Sequence, residues 1–314
     1  MAANSHDGNH CRYPLDCKYI LERCKLGDVI ECPVERSKAL EIYERMGGAR
    51  IRELQYSKYA LAYLERDAYF SLILRALDRI DVDPERSVAV DLGSGDGRFT
   101  ELLVKKGFYH VIAVDNVKPS LQRLIRFMKS IGASNRVTAL RADLTSTPIV
   151  PNSVDLVLAI ESLYYLNERY EEALRRIHNI LRPGGYLVEA EPDAEGMALI
   201  PLILGRLEEF IELSKRRAFR ERYGDELEGE FRAFLPDELE KIHSSHGFIV
   251  KYKGCLPIYS LIVRILNKKG VIGEEELARY DEQIRMLVRD LALRGCSCRR
   301  INLVVSMKPR SQPP

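Results

Sequence analysis

Between residues 84 and 192 the chain alternates two patterns of apolar and polar positions. Val88–Leu92, Val111–Asp115, Val154–Ile160 and Tyr186–Glu191 are short runs dominated by apolar residues, and Arg136–Leu144 is a longer one. Such runs read as strands of a buried sheet. Phe99–Lys106 and Asn167–Leu181 instead carry apolar residues at helical spacing, and the second stops at Pro183-Gly-Gly185, a helix-terminating sequence. Strands alternating with helices predict an α/β fold whose parallel sheet is covered on both faces. Outside this region the periodicity predicts a helix from Tyr56 toward Ala76, a long helix over 194–219, another over 236–246, a strand at Gly247–Tyr252 and a helical insert over 258–294 broken at Gly270.

The segment Asp91-Leu-Gly-Ser-Gly-Asp-Gly97 joins the first strand to the first helix. Alternating glycines let the backbone turn sharply and let a ligand approach it closely, and the helix start offers unpaired N–H groups. The loop is similar to a dinucleotide fingerprint, but Arg98 stands where the third glycine would pack helix on strand. A pyrophosphate beside Asp91 would also meet like charge. A ligand with a cationic end suits Asp91 better. The second strand ends in Asp115, about 20 residues on, where an acid can take both ribose hydroxyls.

These residues, with Ala142-Asp-Leu144, Val154-Asp-Leu-Val-Leu158 and Leu181-Arg-Pro-Gly-Gly185 in the same order, resemble the class I S-adenosylmethionine-dependent methyltransferases, the group that includes ubiquinone and menaquinone methyltransferases. The resemblance covers about residues 56–192. It implies a doubly wound, Rossmann-like sheet of seven mostly parallel strands, the seventh being Arg300–Met307. It also implies a division into a cysteine-containing extension (1–50) and a methyltransferase domain (51–314). Within that domain it implies a core at 84–192, a helical lid at 194–245 and a helical insert at 258–294. Gly93, Ser94, Gly95 and Gly97 would hold the methionine part, with Asp91 serving its ammonium group, and Asp115 the ribose. Asp143 would accept from the adenine amino group, with the Leu144 backbone on the ring edge. Ile160 and Glu161 would line the floor near the sulfonium. Asn116 either touches the adenosine or shapes its turn, and Asp155 reads as a turn residue. Tyr56, Tyr59 and Tyr63 would lie on a helix over the cofactor, or pack as ordinary core.

Methyl transfer asks for a base only where the nucleophile must lose a proton. Candidates follow the fourth and fifth strands: Glu161, Tyr164, Tyr165, Glu189 and Glu191, with Glu161 foremost. No Asn/Asp-Pro-Pro-aromatic sequence follows Ile160, which disfavours methylation of adenine or glutamine amino groups. The expected function is methyl transfer to a small-molecule acceptor. The alternatives are an RNA methyltransferase docking RNA through its N-terminal segment, and a non-catalytic cofactor-binding or scaffold protein.

A net charge of +2 gives no general argument for nucleic acid. The cluster Lys215-Arg-Arg217, Arg220 and Arg222 is interleaved with Glu221, Asp225 and Glu226, the mixed pattern of a solvated face. No run reaches the roughly 20 apolar residues needed to span a bilayer. The N-terminus lacks the order of a secretory signal, so a cytoplasmic protein is expected. Four of the seven cysteines, Cys11, Cys17, Cys24 and Cys32, lie in the extension. They read as a structural zinc site with His10 as a spare ligand, as disulfides, or as free thiols. Cys296 and Cys298 form a C-x-C pair that cannot easily bridge to itself. The sequence sets no oligomeric state.

Overall fold

The computed structural model describes residues 14–35, 40–41, 61–216, 218–223 and 227–310. Eight strands form one sheet: β1 (Val29–Glu31), β2 (Val88–Leu92), β3 (His110–Asp115), β4 (Val137–Arg141), β5 (Val154–Ile160), β6 (Leu181–Pro192), β9 (Ile249–Pro257) and β10 (Arg299–Met307), in the order β1-β4-β3-β2-β5-β6-β10-β9. All pairs are parallel except those that β10 makes with β6 and β9. The strand order reverses between β2 and β5, and ligands of doubly wound sheets sit at such a switch point, beyond the carboxyl ends of the strands.

The α/β expectation holds, with one strand more than the seven predicted. The eighth comes from the N-terminal extension. Val29, Ile30 and Glu31 pair in parallel with Ala139, Leu140 and Arg141, and so cover the β4 edge.

Alternation along each strand feeds two cores. Ala89 of β2 faces one side, with helices α2 (Leu61–Leu77), α3 (Arg98–Lys106), α4 (Lys118–Ser130) and α10 (Glu274–Arg294). Val88, Val90 and Leu92 face the other, with Ile20 of α1 (Cys17–Arg23), α5 (Tyr170–Ile180) and α8 (Pro236–Ser245). On α2 the buried positions are Leu64, Glu65, Ala68, Tyr69, Leu72, Ile73, Ala76 and Leu77, the stripe expected of a helix lying on a sheet.

The long helix predicted over 194–219 is two helices, α6 (Ala194–Ile203) and α7 (Leu207–Arg216). The break falls at Gly205, whose φ of 72° ends a helix at no steric cost. Residues 218–223 then form β7, which pairs with β8 (Leu227–Arg232) as an antiparallel hairpin. The insert before β10 is α9 (Tyr259–Lys268) and α10, separated at Gly270 as expected. Its neck is closed by a disulfide between Cys255 and Cys296, while Cys298 is free and exposed.

A second disulfide joins Cys24 to Cys32, while Cys17 takes part in neither disulfide. The zinc reading of the extension is therefore not assembled here. Two of its four thiolates are consumed in a bond, and among the described residues no three His, Cys, Asp or Glu side chains cluster as metal ligands. Cys11, His10, Tyr56, Tyr59, Arg217 and the side chains of Tyr63, Arg220 and Arg222 lie outside what is described. Among the described residues no helix is long and apolar enough to cross a membrane.

Candidate functional site

The β2–α3 loop lies at the switch point. Its amides at Gly93 and Ser94 donate to the Val114 carbonyl, at 2.8 and 3.0 Å, which clips the loop to the end of β3. Gly93 has φ 80°, and a Cβ there would lie 2.3 Å from Cβ of Ser162. Only glycine lets the loop press against the chain leaving β5. Gly95 has φ 51°, and a Cβ there would meet nothing within 4 Å, so the loop is open toward a ligand on that side. Ser94 Oγ and Ser162 Oγ are both buried, with no hydrogen-bond partner among the described residues.

Asp91 faces α3, where its Oδ2 accepts from Thr100 Oγ1 at 2.5 Å. Burial pushes its carboxyl up to about 6; Thr100 opposes the rise, Asp115 adds to it, and the charge of Arg98 lowers it least. This acid has been moved out of water. Asp115 is held by backbone amides, from Gly95 to Oδ2 and from Val117 to Oδ1, both at 2.8 Å, with Asn116 contributing a third. A carboxylate has about four lone-pair directions, so capacity remains for a ligand hydroxyl. Burial raises its pKa against those amides. The Asn116 carbonyl accepts from Arg141 Nε at 3.0 Å.

Asp143, just past β4, is more heavily engaged. Its Oδ1 accepts from the Thr145 amide at 2.9 Å and hydroxyl at 2.7 Å, and its Oδ2 from Arg169 Nη1 at 3.1 Å. Burial would raise its pKa, but Thr145 and Arg169 together hold it below the usual carboxylate range. Leu144 and Ile160 are buried in the walls. Asp155 takes the structural role expected of it, accepting from the Val88 amide at 2.8 Å and pairing with Arg182.

On the other side of the switch point, Glu161 leaves β5 with φ 51°, an uncommon conformation for a non-glycine residue. Arg300 Nη1 lies 2.6 Å from its Oε1, and Arg98 Nη2 lies 3.7 Å from its Oε2. Burial would raise its pKa, but Arg300 and then Arg98 and Tyr69 bring it down to about 2. Arg300 is also forked onto Glu65, with Nε to Oε1 at 2.8 Å and Nη2 to Oε2 at 2.6 Å, and Ser260 Oγ donates to the same Glu65. Arg98 covers the rings of Tyr69 and Phe99 at 4.8 and 4.4 Å. The arginine that spoils the dinucleotide fingerprint thus belongs to a charge cluster drawn from α2, α3, β5, α9 and β10.

Sequence reasoning missed Glu65 and Arg300. The available signal was an acid inside the apolar stripe of α2, which a helix tolerates only when a cation meets it.

Glu191 accepts from the amides of Leu163 and Tyr164, at 2.9 and 3.4 Å, and positions the segment after Glu161. It is fully buried, and burial with the nearby Glu189 raises its pKa well above the carboxylate range. Glu189 is bonded to Tyr170 OH at 2.6 Å and to His243 Nε2 at 2.9 Å, all fully buried. Tyr164 and Tyr165 stack at 3.9 Å between centroids, and Phe231 meets both edge-on, at 5.8 and 4.8 Å. All three belong to or pack against the core on that face of the sheet, as do Met197 and Leu213.

Comparison with known proteins agrees with this geometry. Residues 90–188 match the family model described as a methyltransferase domain. The chain is 28% identical over 196 residues to methyltransferase GfsG of Streptomyces halstedii, covering 62% of this chain and 68% of that relative. It is 38% identical over 101 residues to phosphoethanolamine N-methyltransferase 1 of Triticum aestivum, covering 31% of this chain and only 20% of that protein. Among solved structures, phosphoethanolamine N-methyltransferase 2 of Haemonchus contortus, in complex with phosphomonomethylethanolamine and S-adenosylhomocysteine, superposes with a TM-score of 0.54 at 15% identity. That match covers 88% of this chain and 61% of that one, a likeness of fold.

Proposed function

Since the chain belongs to the class I S-adenosylmethionine-dependent methyltransferases, we propose that it transfers the cofactor's methyl group to a small organic acceptor with an apolar or aromatic body. The observation that carries the acceptor class is the wall beside Glu161. Tyr164, Tyr165 and Phe231 form one aromatic cluster, and Tyr165 is its half-buried member. Aromatic surfaces of this kind suit an apolar ligand.

The chain's own residues fit the cofactor in three respects. Gly95 opens onto free space, Ser94 Oγ is buried without a hydrogen-bond partner among the described residues, and Asp91 is a buried acid whose pKa the charge of Arg98 lowers only a little. When bound, S-adenosylmethionine supplies an electrophilic methyl group on a sulfonium sulfur. Asp91 would receive its ammonium group, Gly93, Ser94, Gly95 and Gly97 would cradle the methionine part, and Asp115 would accept from the ribose. Asp143, Leu144 and Asn116 would bound the adenine, and Ile160 would supply an apolar surface near the sulfur.

Glu161 does not suit the role of general base. A carboxyl held at about 2 is a weak proton acceptor at neutral pH. Glu189 and Glu191 are fully buried. The chain therefore acts by alignment and exclusion of water, bringing nucleophile, methyl and sulfur into line. Glu161 serves as a fixed negative charge and a strut between α2 and the sheet.

Incubation with methyl-labelled cofactor and a fractionated extract tests this reading. Label in low-mass organic products, unchanged by ribonuclease and by salt, is the expected result. Label in a ribonuclease-sensitive fraction, with steep salt dependence, would move the acceptor to RNA. Tight cofactor binding with no label anywhere would leave a binding protein.

A further inference from the structure

We infer that Arg169 is a positioning residue for the base of the cofactor, and that the N-terminal segment sets its position through Glu35. The inference rests on the assignment of Asp143 to the adenine amino group.

Arg169 ends the 3-10 turn Leu163–Arg169, two residues after Asn167, whose φ of 49° and ψ of −110° bend the chain there. Its guanidinium is shared among four partners. Nη1 lies 3.1 Å from Asp143 Oδ2 and 2.7 Å from Glu35 Oε2, Nε lies 3.1 Å from Glu172 Oε2, and Nη2 donates to Thr145 Oγ1. Asp143 Oδ1 already holds both Thr145 donors, with Arg169 Nη2 at 3.4 Å, whereas Oδ2 holds Arg169 alone. The fork of an arginine fixes a carboxylate in plane. Asp143 is thus presented with its remaining acceptor direction on Oδ2, facing one way.

The segment that carries Glu35 is itself tied to the same side of the cradle. The Cys32 amide donates to the Arg141 carbonyl at 2.9 Å. Arg141 Nε donates to the Asn116 carbonyl at 3.0 Å. Glu31 pairs with Lys118, in the first turn of α4, at 2.8 Å. Two of these contacts join Glu31 and Cys32 to α4 and to the end of β4, and Arg141 carries the link on to the loop that follows β3. Such links do not arise from the core fold, since β1 is an addition to it. An exocyclic amine is an adenine feature, and a hypoxanthine ring presents a carbonyl oxygen there instead. A fixed acceptor on Oδ2 therefore selects adenine and repels hypoxanthine.

Calorimetry with S-adenosylhomocysteine and S-inosylhomocysteine tests the inference on the full chain. Wild type should prefer the adenosyl compound by at least about tenfold, the worth of one charge-assisted hydrogen bond. In Arg169→Gln the preference should collapse toward unity, chiefly through weaker adenosyl binding. Arg169→Lys keeps the charge without the fork and should fall between. Glu35→Gln should reduce the preference by a factor of about 2–3 and lose its effect in high salt, as an exposed pair does. An unchanged preference in Arg169→Gln, with the fold intact by circular dichroism, would overturn the inference. Equal binding of the two compounds by wild type would instead reject the role of Asp143, and no binding of either would reject the cofactor reading.

Discussion

Asp91 and Glu161 leave neighbouring parallel strands, β2 and β5, at the same end of the sheet, yet they are tuned in opposite directions. Asp91 is raised to about 6 and Glu161 lowered to about 2. Both meet the penalty of burial. Glu161 is answered by two arginines of its own chain, whereas Asp91 has the Thr100 hydroxyl. The protein has satisfied one carboxylate within its own frame and left the other raised by burial. Charge state separates these two acids more sharply than position does.

Replacing the arginine that answers Glu161 should have the largest effect. Arg300→Met would strand Glu65 and Glu161 in a buried place, and breaking such a cluster costs about 3–5 kcal/mol. Urea unfolding measures this, and a loss under about 1 kcal/mol would show that the acids find other partners. The disulfides come next. In the chain-entropy account, the bond Cys255–Cys296, with a sequence separation of 41, is worth about 4 kcal/mol. Cys24–Cys32, with a separation of 8, is worth about 2.5 kcal/mol. Serine replacements followed by thermal unfolding should keep that order, and the reverse order would mean that the extension is held chiefly by its staple.

On the cofactor side the effects should appear in binding. Asp115→Ala removes charge-assisted acceptors, worth about 1.5–3 kcal/mol of cofactor affinity. Unchanged affinity by calorimetry would dismiss its ribose role. The smallest effect is one of pH. Below about 6 Asp91 takes up a proton, so affinity for a cationic ligand should fall by up to about tenfold per pH unit. Over the same range, down to 3.8, this group makes the folded state more stable, because its folded pKa is the higher one. The contribution of Glu161 has the opposite sign. It is fully present above 4.5 and is lost only as pH falls through about 2. An affinity that is flat from pH 7 to 5 would remove Asp91 from the ammonium site.

Much of the candidate cofactor loop and the core strands was legible in the sequence because these features are local. Asp91 to Gly97 is one loop, Asp115 ends the next strand, and apolar runs mark every core strand. The buried charge cluster is assembled from residues far apart, with Glu65, Glu161 and Arg300 meeting only once the sheet is built. No periodicity pairs Cys255 with Cys296, or predicts that Val29–Glu31 will extend the sheet. Three residues are too few to show alternation, and their partner edge lies over a hundred positions away. The break at Gly205 was readable in principle, since an isolated glycine in a helical pattern often marks its end. The hairpin of β7 and β8 was hidden because its run of mixed charges reads equally as a solvated helix face.

Because β10 runs against its neighbours, its first residues arrive where the other strands finish. Pro257 and Arg299 face each other across the ladder, so the whole excursion of α9 and α10 departs and returns through one doorway, latched by Cys255–Cys296. A chain built this way can exchange what hangs beyond the doorway while the ladder on either side keeps its register.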